Sequence, residues 1–133
     1  AVAGTGVELG YFENAEQQVR ALAGLPDEVQ VRGFAEGLRE MERTPAMLDE
    51  MVRAWAAGDV DPIDRIVNAD MREQTPEMYE ALIVQRNRDW VPQILTLLDG
   101  EGTVFIAVGA AHLSGENGVV ELLRETGIVV DRQ

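Results

Sequence analysis

Apolar positions along this chain recur mostly three and four residues apart, and in three short stretches they run closer together instead. The first stretch ends at Phe12, after which Glu13 leads into Asn14 and, three residues on, Gln17: an N-cap with its capping-box partner. A strand followed by a helix is predicted, with Val19 and Leu22 inward and a stop near Gly24 and Pro26. Asp27 with Gln30 opens a second helix whose apolar face is Val31, Phe34, Leu38 and Met41, although Gly33 and Gly37 weaken it by up to about 1 kcal/mol each.

Thr44-Pro45, Asp61-Pro62 and Thr75-Pro76 each set a capping side chain before a proline suited to the first helical position. Leu48, Met51, Val52 and Trp55 form one stripe, Gly58-Asp59 breaks it, and Ile63, Ile66 and Val67 begin a shorter segment. The longest helical pattern runs from Pro76 toward Asp99 with Tyr79, Ile83, Trp90, Ile94 and Leu98 on one face, and Pro92 predicts a kink or break in it. Gly100 and Gly102 then end the helical run, and TVFIAV reads as a strand buried on both faces. Ser114 is positioned to cap a helix carrying Val119, Val120, Leu122 and Leu123, Gly127 suits its C′ position, and Ile128 to Val130 form a last short strand.

The expected fold is therefore helix-rich α/β: a few short strands forming part of a sheet, with a helical insertion between the first and second strands. Residues 1–25 supply strand and helix, 26–100 the insertion, and 101–133 a strand, loop, helix and strand joined by a right-handed crossover. At 133 residues this is material for a single unit.

Charge changes the list of partners. With 24 Asp and Glu against 11 Lys and Arg, the formal charge of −13 repels phosphate backbones and argues against nucleic acid. There is no cysteine, so disulfides, thiolate metal sites and cysteine nucleophiles are excluded. No apolar run reaches the ~20 residues of a spanning helix. A Gly-rich phosphate loop, an HExxH pair and a GxSxG elbow are all missing, so neither a nucleotide nor an organic cofactor is expected. The first residue is not Met, which suggests a processed or excised piece.

His112 is the only histidine, and it follows Gly109-Ala110-Ala111 just past the most apolar stretch, where α/β sheets gather ligand-binding groups. Asn87 falls on the core-facing stripe between Ile83 and Trp90, with Arg86 at its border, so the pair either ties down neighbouring backbone or lines a polar cavity. Glu13 and Glu116 are the acidic residues placed to meet His112, a carboxylate and imidazole set that zinc or manganese accepts. Favourable placement at a helix N-terminus accounts better for Glu116 than a site role does, for Glu13 the two readings stand level, and a structural role remains open for the lone histidine.

With those residues located, the sequence resembles the TraB/GumN family, relatives of the Tiki proteases. The matching stretches are GYFENAEQQ, the AWAAGD turn, YEALIVQRNRDWVPQI and VFIAVGAAHLSGENGVVELLRETGIVV. Phe12 stands where the family has Leu and Asn14 where it has Thr, while Glu13, Gln18, Arg86, Asn87 and Glu116 match the pattern. The resemblance implies a domain of two related halves, each with a GxxH motif, whose histidines and acidic residues form a metal-dependent hydrolytic site in the Tiki branch. Here the second motif is Gly109 to His112, and the first has no counterpart in the chain.

The expectation that follows is part of a metal-dependent, peptidase-like hydrolase with His112 as metal ligand or acid/base and Glu13 as its companion. Arg86, Asn87, Gln18 and Glu116 support the site. The natural partner is the missing N-terminal half, the substrate a peptide or protein, the setting extracytoplasmic, and the fragment alone inactive. A non-catalytic binding module for a peptide or polysaccharide is the competing expectation, and a homodimer pairing two GAAH segments through the exposed first strand is a third.

Overall fold

In a computed structural model of the chain, which describes residues 6–41 and 44–131, six helical stretches make up the body. They are α1 (Ala15–Ala23), α2 (Asp27–Glu40), α3 (Thr44–Ala56), α4 (61–74), α5 (76–98) and α6 (Val119–Glu125). Two of these change pitch midway. A π turn occupies Asp64–Ala69 of α4, and another occupies Glu80–Val84 of α5. One 3₁₀ turn, Ala110–His112, carries the histidine.

The local signals explain most boundaries. Asn14 and Gln17 form the capping box of α1, with Asn14 Oδ1 accepting from the Gln17 N–H at 2.9 Å and Gln17 Oε1 from the Asn14 N–H at 2.8 Å. At the end of α6, Gly127 adopts φ 89°, its N–H reaches the Arg124 carbonyl and the Ile128 N–H reaches that of Leu123, which is a Schellman closure. Ile128 also packs on the cluster containing Leu123, the hydrophobic contact that accompanies such an ending.

Several expectations need correction. Among the described residues there is no strand and no sheet. The stretches 6–12, 103–109 and 128–131 are extended, but a strand exists only through a ladder with a neighbour, and these segments exchange no such bonds with one another. Their alternation is real: Phe12, Ile106, Val108, Ile128 and Val130 face the helices while Phe105 is 91% exposed. The 103–108 stretch is thus buried on one face, not two. Pro92 does not break α5, whose α-helical part runs through from Gln85 to Leu98. Trp90, Val91 and Ile94 are buried around it, and Pro92 itself lies on the exposed side, where the carbonyl deprived of its donor reaches water.

The caps of the other helices differ from the expected ones. Thr75 does precede α5 but its hydroxyl turns back to the Met71 carbonyl, and Ser114 caps nothing, because Gly118 holds the N-cap of α6. Pro26, not Asp27, precedes α2, and Val60 precedes α4, so Asp61 lies inside its helix. The position before Thr44 lies outside the described residues.

The core is small and sits on α5 and α6: Trp90, Val91, Ile94, Val119 and Leu123, with Tyr79, Ile83 and Val84 as a second cluster one turn earlier. The faces of α1, α2 and α3 expected to point inward are instead exposed at Leu22, Val31, Phe34, Leu38, Val52 and Trp55. Of the long stripe on α5, Tyr79, Ile83, Trp90 and Ile94 are buried as expected and Leu98 is not.

Candidate functional site

The site forms where α5 meets the turn that carries His112. His112 is 7% exposed, and its ring centroid lies 4.5 Å from that of Trp90. Phe12 stacks on the same indole at 5.7 Å, and the Arg86 guanidinium lies over it at 5.0 Å. Trp90 is therefore the platform that joins the extended N-terminal segment, α5 and the histidine turn.

Asn87, fully buried, fixes the imidazole. Its Nδ2 donates to the Asn117 carbonyl at 2.7 Å and to the His112 carbonyl at 3.4 Å, so its Oδ1 must be the atom facing His112 Nδ1 at 2.7 Å. An amide oxygen cannot donate, hence Nδ1 carries the proton and Nε2 keeps a free lone pair. His112 Nε2 makes no hydrogen bond and is not among the buried unpartnered atoms, Asn68 Oδ1 and Trp90 Nε1, so it reaches the surface.

Electrostatics act in the same direction. Burial first and the positive charge of Arg86 second push His112 down from 6.5 to about 4, against the opposing pull of Glu13. Glu13 is itself tied to Arg86 through two bonds, Nε to Oε1 at 2.8 Å and Nη2 to Oε2 at 2.9 Å. Burial works to raise its carboxyl, but the Arg86 bonds and charge outweigh this and hold it below the ordinary value. The Trp90 N–H assists at longer range without closing a hydrogen bond of its own.

The remaining sequence-predicted residues separate. Glu116 is exposed in the turn before α6, where its charge is felt by Arg72 and not by His112. Gln18 is exposed on α1, outside the cluster. Thus Glu13, Arg86, Asn87 and His112 come together, whereas Gln18 and Glu116 do not.

Sequence reasoning missed a second buried knot. Asn68, fully buried, donates through Nδ2 to Asp64 Oδ1 and to the Ala111 carbonyl, both at 2.9 Å, and lies 3.3 Å from Ser114 Oγ, pinning α4 to the histidine turn. On an ordinary helix Asn68 would sit about 140° away from buried Ile63, so periodicity hid it; the π turn brings it round. The only signal in the sequence was an amide beside an apolar run.

Whether these side chains suit a metal can be tested on the donors themselves. His112 Nε2 is neutral, oriented and accessible, as a ligand nitrogen should be. Among the described residues, however, no group of three or more His, Cys, Asp or Glu converges, and both Glu13 oxygens are engaged by Arg86. Among the described residues the donor set is incomplete.

A helical unit holding one neutral histidine through a buried asparagine and an indole platform defines the class of site. The chain belongs to the TraB/PrgY/gumN family, whose family model matches residues 1–132. It is similar to the uncharacterised protein YbaP of Escherichia coli (strain K12), 28% identical over 116 residues that make up 85% of this chain and 40% of that protein. YbaP of Shigella flexneri matches to the same extent, 28% over 116 residues. The chain thus spans about 40% of the length of these relatives. No solved structure matches it.

Proposed function

We propose that the chain contributes His112 as a nitrogen ligand to a divalent-metal, peptidase-like hydrolytic centre whose other ligands lie outside these residues. The observation that carries this is the Asn87 lock, which leaves Nε2 unprotonated and without a hydrogen-bond partner. The choice between ligand and acid/base follows from the depressed pKa. With a value of about 4, close to one imidazole in a thousand is protonated at pH 7, so a general acid is almost absent and a base this weak abstracts protons poorly. A ligand nitrogen gains from the same shift, because protons do not compete for it.

Zinc and manganese both accept imidazole, and a metal bound there would polarise a carbonyl and lower the pKa of a bound water. Arg86, by engaging Glu13, keeps that carboxylate off the imidazole and holds Trp90 against it. Likeness to the TraB/GumN family supports the hydrolytic class and an extracytoplasmic setting, periplasmic or secreted.

Zinc and manganese titrations, followed by calorimetry and by the ¹⁵N resonances of His112, test the reading. The expected outcome is a shift of Nε2 with Nδ1 still protonated, and loss of the binding heat in His112→Ala. Metal binding that leaves Nε2 unmoved, or a full-length protein that keeps its metal in His112→Ala, refutes the ligand role and returns the chain to a metal-free recognition module.

A further inference from the structure

A cavity of about 330 Å³ opens between α3 and α4, walled by Met51, Val52, Trp55, Ile63 and Val67 and floored by the run 109–111. Ligand pockets span about 300–1,000 Å³, so this one suits one or two side chains and not a cofactor. It exists because Gly109, Ala110 and Ala111 carry nothing beyond Cβ. Behind the floor lies the imidazole: a Cβ built on Gly109 would stand 3.6 Å from His112 Cδ2, so one thickness of backbone separates cavity from ring. The wall is anchored to the floor by the bond from Asn68 to the Ala111 carbonyl, and the π turn that permits it is of the kind that gathers at functional sites.

The surroundings restrict the occupant. Arg65 is engaged by Glu50 and Arg72 by Asp64, while Asp49, Asp59 and Asp61 on the wall helices and the turn between them stand against a single further arginine, Arg53. Together with the chain's −13, this disfavours an anionic fatty acid and favours a ligand whose apolar group is flanked by positive charge.

We infer that this cavity is the subsite for one aliphatic side chain of a peptide with cationic neighbours, which it presents to the turn bearing His112. The inference rests on reading His112 as part of a peptide-hydrolysing centre. It also gives the three small residues before His112 a purpose: they make room for the side chain that positions the peptide.

The test is an NMR titration of the ¹⁵N-labelled chain, in metal-free buffer, with the capped peptides Ac-Lys-Leu-Lys-NH₂, Ac-Lys-Ser-Lys-NH₂ and Ac-Glu-Leu-Glu-NH₂. The leucine peptide should perturb residues 63, 67 and 109–111 and the Trp55 indole. Its serine counterpart should bind at least about tenfold more weakly, the worth of one buried aliphatic side chain, and the acidic peptide should also bind more weakly. Ala110→Leu, which fills the cavity, should abolish the perturbation; Trp55→Ala, at a residue 70% exposed, should weaken binding severalfold even if the filled variant does not fold.

Binding of the leucine peptide should survive in His112→Gln, so a failed metal titration and a failed subsite are read separately. Equal affinity for leucine and serine peptides, perturbations confined to Phe34 through Met41, or preference for decanoate over the cationic peptide would each overturn the assignment.

Discussion

A histidine whose Nδ1 is committed to an amide oxygen behaves differently from a free one, and acid stability should reveal it. The folded value of about 4 lies below the ordinary 6.5, so between those pH values the unfolded chain binds a proton that the folded chain refuses. Stability is then fully present above about 6.5, falls as pH drops toward 4, and loses up to about 3 kcal/mol from this group alone. Glu13 adds to the loss at lower pH, since its depressed carboxyl stabilises the fold above its unfolded value and ceases to as pH falls through its folded one. Urea unfolding across pH 4–7 should show stability declining from near 6.5, and His112→Gln should remove that upper part of the decline while leaving the Glu13 part below it. A wild-type profile flat from 7 down to 5 would contradict the buried neutral imidazole. His112, Asn87 and Arg86 were legible because a unique residue and a polar break in an apolar stripe both stand out in one dimension. The Arg86 hold on Glu13 was not, because it joins residues 73 positions apart.

Among the elements, helices were legible and strands were not, for a common reason. A helix closes its hydrogen bonds within its own stretch, so spacing suffices to place α1, α2 and α5, and at α1 the capping box adds the start. An extended segment needs a partner, and apolar alternation at 103–108 records only that one side is covered. The same distinction separates two glycines of α2. At Gly37 a Cβ would meet nothing, so Gly37→Ala should raise stability by about 0.5–1 kcal/mol through helix propensity alone. At Gly33 a Cβ would collide with Met78 Sδ, where α2 crosses the start of α5, so Gly33→Ala should gain nothing or lose stability until Met78 is shortened. Thermal unfolding of the two variants and of Gly33→Ala/Met78→Ala decides the matter; equal gains at both positions would mean that α2 does not approach α5 so closely.

For the whole molecule, two properties oppose each other. The exposed residues of α1 to α3 form long apolar faces, including an open groove of about 620 Å³ between Leu22, Phe34, Leu38, Met41 and Met78, apolar surface of the kind that marks an interaction site. The charge of −13 keeps such faces apart. Of the eight ion pairs among the described residues, only Arg86–Glu13 and Arg72–Asp64 are substantially shielded, so salt screens mainly the excess negative charge. Sedimentation velocity should accordingly find a monomer near 10 mM salt, about one tenth of the ionic strength at which screening reaches ~10 Å. Larger species should appear as salt is raised past about that strength, and Phe34→Ser or Trp55→Ser should suppress them with little effect on stability, because both side chains are already in water. Apolar association accounts for that pattern and pairing of charged surfaces does not, since the latter would weaken with salt. A chain that stays monomeric at every ionic strength would show instead that these faces are tolerated bare, and would remove the physical case for a second copy or another polypeptide segment lying against them.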